Sequence, residues 1–204
     1  NSRSVMICEK EGQPVSQIVT SYRNIGIDPG SQITGFGILE IPSGIVNIKK
    51  IRLIAAGVLK SQTKLPHHDR SGYLHDAMFQ LTEKYQPEWC AIEKAFAGIN
   101  INSALRLGET RGALIAAVRR HKIQVAELTP THVKKSVTGQ GHASKDQVAA
   151  ALKYLLGFER GDLPHDASDA IAIALSHALS LGTYTAVAKI CLPSPPLPSN
   201  ASVG

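Results

Sequence analysis

The order of strand-like and helix-like segments restricts the fold of this chain more than any other feature of its sequence. Three apolar segments that contain glycine come first, at residues 23–28, 33–41 and 45–59. They are followed by short apolar runs, which predict strands, alternating with apolar residues at three- to four-residue spacing, which predict helices. Leading strands followed by such an alternation are typical of an α/β fold. We therefore predict a mixed sheet, with three leading antiparallel strands and then parallel strands, flanked by helices.

The second part of the pattern supplies most of the predicted helices. Helices are predicted at 72–85, 103–121, 130–137, 145–156 and 166–181, and strands at 89–92 and 123–128. The run Trp89-Cys90-Ala91-Ile92 is apolar throughout and stops at Glu93, which is typical of a parallel strand buried on both faces. Ser103 is the predicted N-cap of the long central helix, and Pro130 suits the first turn of the next one.

The length and composition of the chain indicate one folded domain. A chain of 204 residues with 43% hydrophobic content can bury one good core and is too short for two full-sized domains. We expect that domain at residues 24–183. A partly flexible N-terminal extension is expected at 1–23. The segment 184–204 ends in a stretch rich in proline and serine, and we expect it to be a disordered tail.

Charge and cysteine content limit the classes of partner. The formal net charge of +6 permits an anionic partner such as nucleic acid without requiring one. The three cysteines form no CxxC pair, and the eight histidines show no metal-ligand spacing, so neither a zinc knuckle nor a disulfide framework is indicated. No apolar stretch approaches the roughly 18 residues of a membrane span. We expect a cytoplasmic protein with no membrane partner.

Four acidic residues stand where predicted elements begin or end. Asp28 ends the first strand, Glu93 ends the buried strand, and Asp166 and Asp169 lie three residues apart at the start of the last helix. Because ligand sites in open α/β sheets gather at the carboxyl ends of strands, these carboxylates are predicted to converge. Their mutual repulsion resists ionisation, and divalent cations would relieve it. Two magnesium ions roughly 4 Å apart would suit phosphodiester hydrolysis.

Each acid also has an ordinary structural interpretation. Asp28 before Pro29-Gly30 suits a turn, and acids such as Asp166 and Asp169 are common at helix N-termini because they favour the helix dipole. Glu93 is harder to explain in this way, because a charge directly after four apolar residues needs a partner or a ligand. No single acid decides the question, but their combination favours a metal site.

Five segments together resemble the RuvC family of Holliday junction resolvases. They are IGIDPGS at 25–31 with TGFG at 34–37, AIEKAF at 91–96, SALRLG at 103–108 with TRG at 110–112, VKKSVTG at 133–139 with GHASK at 141–145, and DASDA at 166–170 with IAIA at 171–174. The likeness runs in family order from about Asn24 to Leu181. It implies a ribonuclease-H-like fold and a homodimer that cuts four-way junction DNA by paired symmetric nicks. It also implies two Mg²⁺ ions per active site, for which Mn²⁺ would substitute, and suggests a branch-migration motor complex as a partner.

The resemblance also implies roles for individual residues. The family's four metal-binding catalytic acids correspond to Asp28, Glu93, Asp166 and Asp169, and a lysine near the scissile phosphate corresponds to Lys145. The candidate DNA-binding residues are Phe96, Lys134, Lys135 and Arg106. Phe96 would stack on an unpaired base at the crossover, although a place in the core is the ordinary interpretation of a phenylalanine there. Whether Lys145 or His165 assists proton transfer stays open.

One stripe of the central helix is a candidate dimer interface. It consists of Leu105, Gly108, Gly112 and Ile115, and its two glycines are four residues apart. Close packing within the same chain would use the same pattern, whereas the resemblance favours contact with a second copy. A two-fold dimer would supply the two active sites that two symmetric cuts require.

Three other functions compete with junction resolution. Another ribonuclease-H-like nuclease, acting on RNA–DNA hybrids or transposon ends, would share the acids and the metals. An ATP-binding protein of the actin and sugar-kinase type is disfavoured by Pro29 and by the short chain. A non-catalytic junction-binding module is disfavoured because all four acids are present.

Overall fold

The computed structural model describes residues 21–43, 46–94, 100–157 and 163–191. Its strands are β1 (Ser21–Asp28), β2 (Ile33–Pro42), β3 (Arg52–Lys60), β4 (Trp89–Glu93) and β5 (Gln124–Leu128). Its helices are α1 (His67–Tyr85), α2 (Ile101–Arg120), α3 (Pro130–Thr138), α4 (Lys145–Leu156) and α5 (His165–Cys191), with a short 3-10 helix at Ile48–Lys50. None of the helices in these ranges combines the length and the apolar character that a membrane span requires.

The five strands form one sheet in the order β3-β2-β1-β4-β5. β2 pairs antiparallel with both β1 and β3, whereas β4 pairs parallel with both β1 and β5. The predicted mixed sheet, with three leading antiparallel strands followed by parallel ones, is confirmed. In this order the carboxyl ends of β1 and β4 are neighbours at one edge of the sheet.

Helices cover both faces of the sheet, and each face has its own core. On one face α1 and α2 pack against the strands, and this core includes Ile25, Ile38, Leu74, Ile92 and Leu114. On the other face α5 packs with α3 and α4, and this core includes Leu39, Ala91, Val133, Leu152 and Ile171. Because successive strand residues point to opposite faces, the two lists alternate along the strands.

Glycines in the central strands bring α5 unusually close to the sheet. A Cβ atom on Gly26 would meet the backbone of Ala170 and Ala174, and a Cβ atom on Gly37 would lie 2.9 Å from the Cα atom of Ile171. A side chain at either position would therefore hold the helix away from the sheet. Glycine within a strand often marks such a close backbone approach.

A buried polar pair fixes where α5 lies along β1. Asn24 Nδ2 donates to the carbonyl oxygen of Ala174 at 2.8 Å, and Asn24 Oδ1 lies 3.3 Å from Nδ1 of His177. Burial lowers the pKa of His177 to about 4, so the imidazole is neutral at pH 7 and Nδ1–H donates to Asn24. Since Asn24 has no solvent exposure, loss of these hydrogen bonds would leave polar atoms unsatisfied in the core.

Two helix starts differ from the prediction. α1 begins at His67 instead of residue 72, because the inward-facing residue of its first turn is Arg70, which breaks the apolar pattern. Arg70 is buried, and its guanidinium donates to the carbonyl oxygens of Leu65 and Ser31 at 2.8 and 3.4 Å. α2 begins at Ile101, and its N-cap is Asn100, whose side chain accepts from the backbone N–H of Ser103. The prediction of Ser103 as the N-cap was wrong.

The third strand and the last helix also differ in extent. β3 begins at Arg52 instead of residue 45, because Asn47 accepts from Lys49 N and starts the 3-10 helix. α5 continues to Cys191, ten residues beyond the predicted end, and the first proline that could stop it is Pro193. β1 begins at Ser21. The domain limits at residues 24 and 183 stay predictions.

Candidate active site

Strand alternation places two of the predicted acids on the sheet face that α5 covers. In β1, Asn24 and Gly26 contact α5, so Asp28, two residues further on, projects from the same face. In β4, Ala91 belongs to the core beneath α5, which places Glu93 on this face as well. The register pairs Gly26 with Ala91 and Ile27 with Ile92. Asp28 and Glu93 therefore end neighbouring strands, side by side.

The first turn of α5 carries the other two acids to the same place. Gly35 of β2 pairs with Asp28 across the sheet, and a Cβ atom on Gly35 would meet the backbone carbonyl group of Asp166. The missing side chain thus lets the start of α5 lie directly on the strand beside Asp28. Asp166 and Asp169 follow three residues apart on one side of the helix. The structure therefore brings the four acids to one edge of the sheet, close enough for the charges of the other three to act on Asp28, and their roles as metal ligands stay predictions.

The close approach of these carboxylates is visible in the pKa values of Asp28 and Glu93. Burial raises the pKa of Asp28 to about 7, and the charges of Glu93, Asp169 and Asp166 add to the rise. Burial, with a contribution from Asp169, also raises the pKa of Glu93. Ionisation of an Asp with a pKa near 7 carries a free-energy cost, which a nearby cation would remove.

Two lysines offset part of this negative charge. Nζ of Lys145, the first residue of α4, lies 3.0 Å from Oδ2 of Asp169. This hydrogen bond raises the pKa of Lys145, so the ammonium group is firmly charged. The charge of Lys134 in α3 reaches the site too, because it offsets part of the rise in the pKa of Glu93 that burial and Asp169 cause. The acids therefore face cations contributed by two further helices.

The donor set fits a hard divalent cation in its chemistry. Carboxylate oxygens are the ligands that Mg²⁺ and Ca²⁺ prefer, and Asp28 is destabilised in its charged form by the other three acids. Among the described residues, however, no three His, Cys, Asp or Glu side chains are already gathered into a metal-ligand set. The four carboxylates would have to draw closer to bind an ion, and neutralisation of their repulsion would favour that movement.

Without divalent cations, Asp28 is expected to make the folded protein less stable as the pH rises from about 4 to about 7. The unfolded chain releases the Asp28 proton near the ordinary pKa of 3.8, whereas the folded chain keeps it until about pH 7. The folded state then binds more protons than the unfolded state, so its stability falls as pH rises. His177, with its pKa lowered from 6.5 to about 4, acts in the opposite sense within this range.

Denaturant unfolding of the wild type and of Asp28→Asn, both with EDTA, isolates the contribution of Asp28 because His177 is present in both proteins. Relative to the variant, the wild type should lose up to about 1.4 kcal/mol per pH unit between pH 4 and 7. Added Mg²⁺ should restore stability to the wild type more than to the variant. Parallel pH profiles for the two proteins would contradict the raised pKa of Asp28.

The predicted DNA-binding residues lie around this site to different degrees. Lys134 is half-buried beside the acids, whereas Lys135 and Arg106 have exposed side chains. Phe96 lies outside the described residues. His165 begins α5 and is exposed, next to Asp166. Of the DNA-binding candidates, Lys134 is thus the one whose charge acts on an acid of the site.

The predicted dimer stripe is largely open in the single chain. A Cβ atom on Gly108 or on Gly112 would meet nothing within 4 Å, so among the described residues these glycines do not serve close packing. Leu105 is 60% exposed and Ile101, one turn earlier, is 74% exposed. Ile115 differs, because it packs against the core between the sheet and α2. Its side chain is partly buried against its own chain and is less exposed than Leu105.

Two residues that shape the site had no assigned role in the sequence interpretation. Gly35 was part of a predicted strand, and the alternation of glycines at 35 and 37 was the signal that another backbone approaches there. Arg111 was one of several arginines on the central helix. Its Nε atom donates to the carbonyl oxygen of Glu93 at 3.0 Å, a contact that no sequence pattern indicates.

Known proteins resemble this chain in sequence and in fold. A family model described as crossover junction endodeoxyribonuclease RuvC matches residues 24–177. Crossover junction endodeoxyribonuclease RuvC from Chlorobium chlorochromatii is 37% identical over 76% of this chain and 78% of its own length. The Neisseria meningitidis (strain MC58) protein of the same name is 36% identical over 79% and 88%.

Two solved structures give the same likeness in three dimensions. Thermus thermophilus RuvC in complex with a Holliday junction substrate matches with a TM-score of 0.73 and 30% identity, over 80% of this chain and 97% of that one. The yeast mitochondrial Holliday junction resolvase Ydc2 matches with a TM-score of 0.59 over 87% of this chain and 89% of that one. At 19% identity the yeast protein shares the fold alone. The predicted ribonuclease-H-like fold class is confirmed by these matches.

Proposed function

Because this chain belongs to the RuvC family of crossover junction endodeoxyribonucleases, we propose that it resolves four-way DNA junctions at the carboxylate site described above. The observation that carries the proposal is the placement of four acids from β1, β4 and α5 at one edge of the sheet, where burial and the charges of the other three acids raise the pKa of Asp28. The reaction is hydrolysis of a phosphodiester in each of two opposed strands. The junction is recognised by its shape and by its phosphates.

The enzyme depends on divalent metal ions, and we infer two Mg²⁺ ions per site, for which Mn²⁺ substitutes. The residues that would hold them are Asp28, Glu93, Asp166 and Asp169. Bound divalent ions lower the pKa of a water nucleophile and neutralise charge on the leaving oxygen. The acids supply oxygen ligands from β1, β4 and α5, which hold the backbone of the ligands in place while the carboxylates draw closer around the ions.

The lysines complement the acids in this mechanism. Lys145 is held by Asp169 with its ammonium group at the site, where it can donate to a phosphate oxygen and balance the negative charge that develops during attack. Lys134, beside Glu93, draws the DNA backbone toward the acids. Lys135 and Arg106 add salt-sensitive attraction to phosphates. Phe96 is proposed to stack on an unpaired base at the crossover.

The open stripe on α2 is proposed to pair with the same stripe of a second copy. In a two-fold interface each residue contributes twice, and Gly108 and Gly112 leave room for the backbone of the partner. Leu105 and Ile101 would bury there the apolar surface that they expose in the single chain. The resulting homodimer supplies the two active sites that paired nicking requires.

Leu105→Glu is expected to convert the dimer into a folded monomer. Loss of two buried leucines per dimer costs about 3 kcal/mol or more, which corresponds to roughly 100-fold weaker association. Sedimentation equilibrium across a concentration series measures this change. Tyr154→Glu is the matched control, because Tyr154 is 88% exposed on α4 and lies outside the stripe. Dimerisation of Leu105→Glu with wild-type affinity would place the interface elsewhere.

Cleavage of a labelled four-way junction tests the proposed function directly. The junction is compared with linear duplex and with an RNA–DNA hybrid, each with Mg²⁺, with Mn²⁺ and with EDTA. Paired symmetric nicks on the junction, lost with EDTA, are the expected result. Preferential cutting of the hybrid would assign the site to a ribonuclease instead. The branch-migration motor partner and the cytoplasmic location stay predictions.

A further inference from the structure

Arg111 is tied to the end of the strand that carries Glu93. It lies in α2, and its side chain is only 16% exposed. Its Nε atom donates to the backbone carbonyl oxygen of Glu93 at 3.0 Å, and one terminal nitrogen forms an ion pair with Oε2 of Glu127 in β5 at 2.9 Å. One guanidinium therefore joins α2, β4 and β5 at the catalytic edge of the sheet.

The place of these contacts along β4 matters because the strand ends at Glu93. On one side the strand end is held by β5, since Lys94 N donates to the carbonyl oxygen of Leu128 at 2.8 Å. Arg111 holds the carbonyl group of Glu93 from the helix above. Both hydrogen bonds hold the same peptide unit, the one that joins Glu93 to Lys94, and so they restrict the backbone that directs the Glu93 side chain.

Arg111 differs in this respect from the other arginines of α2. Arg106, Arg119 and Arg120 are exposed, as expected for a solvated helix surface. Arg111 is largely buried, and a buried charge is costly unless it is paired and hydrogen-bonded. Its Nε atom is hydrogen-bonded, whereas its Nη2 atom is buried and paired with Glu127 by charge without a hydrogen bond, so the side chain is poorly placed to contact DNA phosphates. A role directed toward the interior of the site fits these contacts better.

We propose that Arg111 is a positioning residue that aims the Glu93 carboxylate at the metal-binding group. The proposal rests on the proposed function, because it assumes that Glu93 is a ligand. The planar guanidinium suits this task, since it presents several donors in a fixed fork and reaches Glu93 and Glu127 together. Groups that orient metal ligands in this way typically change metal affinity by about 10-fold to 100-fold when they are removed.

Calorimetric titration with Mn²⁺ tests the proposal independently of cleavage. The proteins compared are the wild type, Arg111→Gln and a matched control, Arg119→Gln. Arg119 lies in the same helix and also donates to a backbone carbonyl oxygen, that of Ile123 at 2.8 Å, but at the C-terminal end of α2, two turns beyond Arg111. Arg111→Gln should bind Mn²⁺ about 10-fold or more weakly, whereas Arg119→Gln should match the wild type.

A second variant, Arg111→Lys, and thermal unfolding of all the variants show whether a loss of Mn²⁺ affinity comes from a misplaced Glu93 or from a less stable fold. Lysine keeps the charge but cannot span both partners with a fixed fork, so its Mn²⁺ affinity should fall between those of the wild type and Arg111→Gln. In cleavage assays the Arg111 variants should need more Mn²⁺ for half-maximal rate while they bind the junction with wild-type affinity.

The possible outcomes separate this proposal from the proposed function. Equal Mn²⁺ affinities for Arg111→Gln and Arg119→Gln would overturn the positioning role. Loss of affinity in Arg111→Lys and Arg111→Gln only in proportion to a loss of folded protein would overturn it as well. If the wild type binds Mn²⁺ but cuts no junction, the proposed function fails, and the comparison between the two arginines still decides the role of Arg111.

Discussion

Asp28→Asn is expected to lower junction cleavage by at least about 100-fold, an effect like that of removing one group that stabilises charge in a transition state. Asparagine has nearly the same shape as aspartate but lacks the charge that a divalent cation would neutralise. Asp28 is also the acid whose pKa is raised to about 7, by burial and by the charges of the other three acids. The substitution therefore removes the carboxylate that gains most from a bound cation.

The same substitution should leave junction binding intact and should stabilise the metal-free protein at neutral pH. Asp28 carries no positive charge that could attract DNA, and its negative charge opposes the approach of phosphates. In the folded state ionisation of Asp28 is unfavourable because burial and the other acids raise its pKa, and asparagine avoids that cost. A variant that loses activity while it gains stability cannot owe the loss to unfolding.

Three measurements check this expectation together. They are the single-turnover cleavage rate at saturating enzyme, junction affinity measured in Ca²⁺, and the denaturant midpoint with EDTA. Asp76→Asn is the matched control, because Asp76 is an exposed residue of α1 whose carboxylate pairs with His75 next to it. Cleavage by Asp28→Asn at the wild-type rate would show that Asp28 is not a metal ligand.

The acids could be placed from the sequence because the elements that carry them have simple patterns. The apolar run of β4 stops at Glu93, and β1 stops at Asp28 before Pro29-Gly30, so both ends were marked by an abrupt change from apolar to charged residues. The parallel pairing of β1 with β4 then makes them neighbours. In this part of the chain local patterns and the tertiary structure agree.

Other features could not be predicted because their signal arises only in the tertiary structure. In the first turn of α1, Arg70 is buried and donates to the carbonyl oxygens of distant Ser31 and nearby Leu65, so a search for apolar periodicity starts the helix too late. Arg111 has the same appearance in the sequence as Arg119, although one arginine is largely buried at the site and the other is exposed. Ile115 follows the stripe spacing, yet its partly buried side chain packs against the core of its own chain.

Gly35→Ala is expected to reduce cleavage by about 100-fold although it adds only one methyl group. The new Cβ atom would meet the backbone carbonyl group of Asp166, and backbone cannot swing aside as the end of a flexible side chain can. The first turn of α5 must therefore move away from β2, and Asp166 must move with it. A misplacement of about 1 Å in a catalytic group can cost roughly 100-fold in rate.

Gly37→Ala separates displacement of the acids from general damage to the packing. Its Cβ atom would lie 2.9 Å from the Cα atom of Ile171, so it also presses on α5, but five residues beyond Asp166 and two beyond Asp169. Overpacking of this kind costs about 1–3 kcal/mol of stability, and we expect similar losses for both variants. Gly72→Ala, which meets nothing within 4 Å in the middle of α1, should gain about 0.5–1 kcal/mol and keep full activity.

Cleavage rates and thermal unfolding of the three glycine variants then test whether the close approach of α5 serves the site or only the fold. If it serves the site, Gly35→Ala should lose far more activity than Gly37→Ala at equal stability, because only Gly35 lies against Asp166 and beside Asp28. Equal losses of activity in Gly35→Ala and Gly37→Ala would mean that the glycines set the overall distance between helix and sheet. The positions of Asp166 and Asp169 would then depend on the whole of α5 and not on the contact at Gly35.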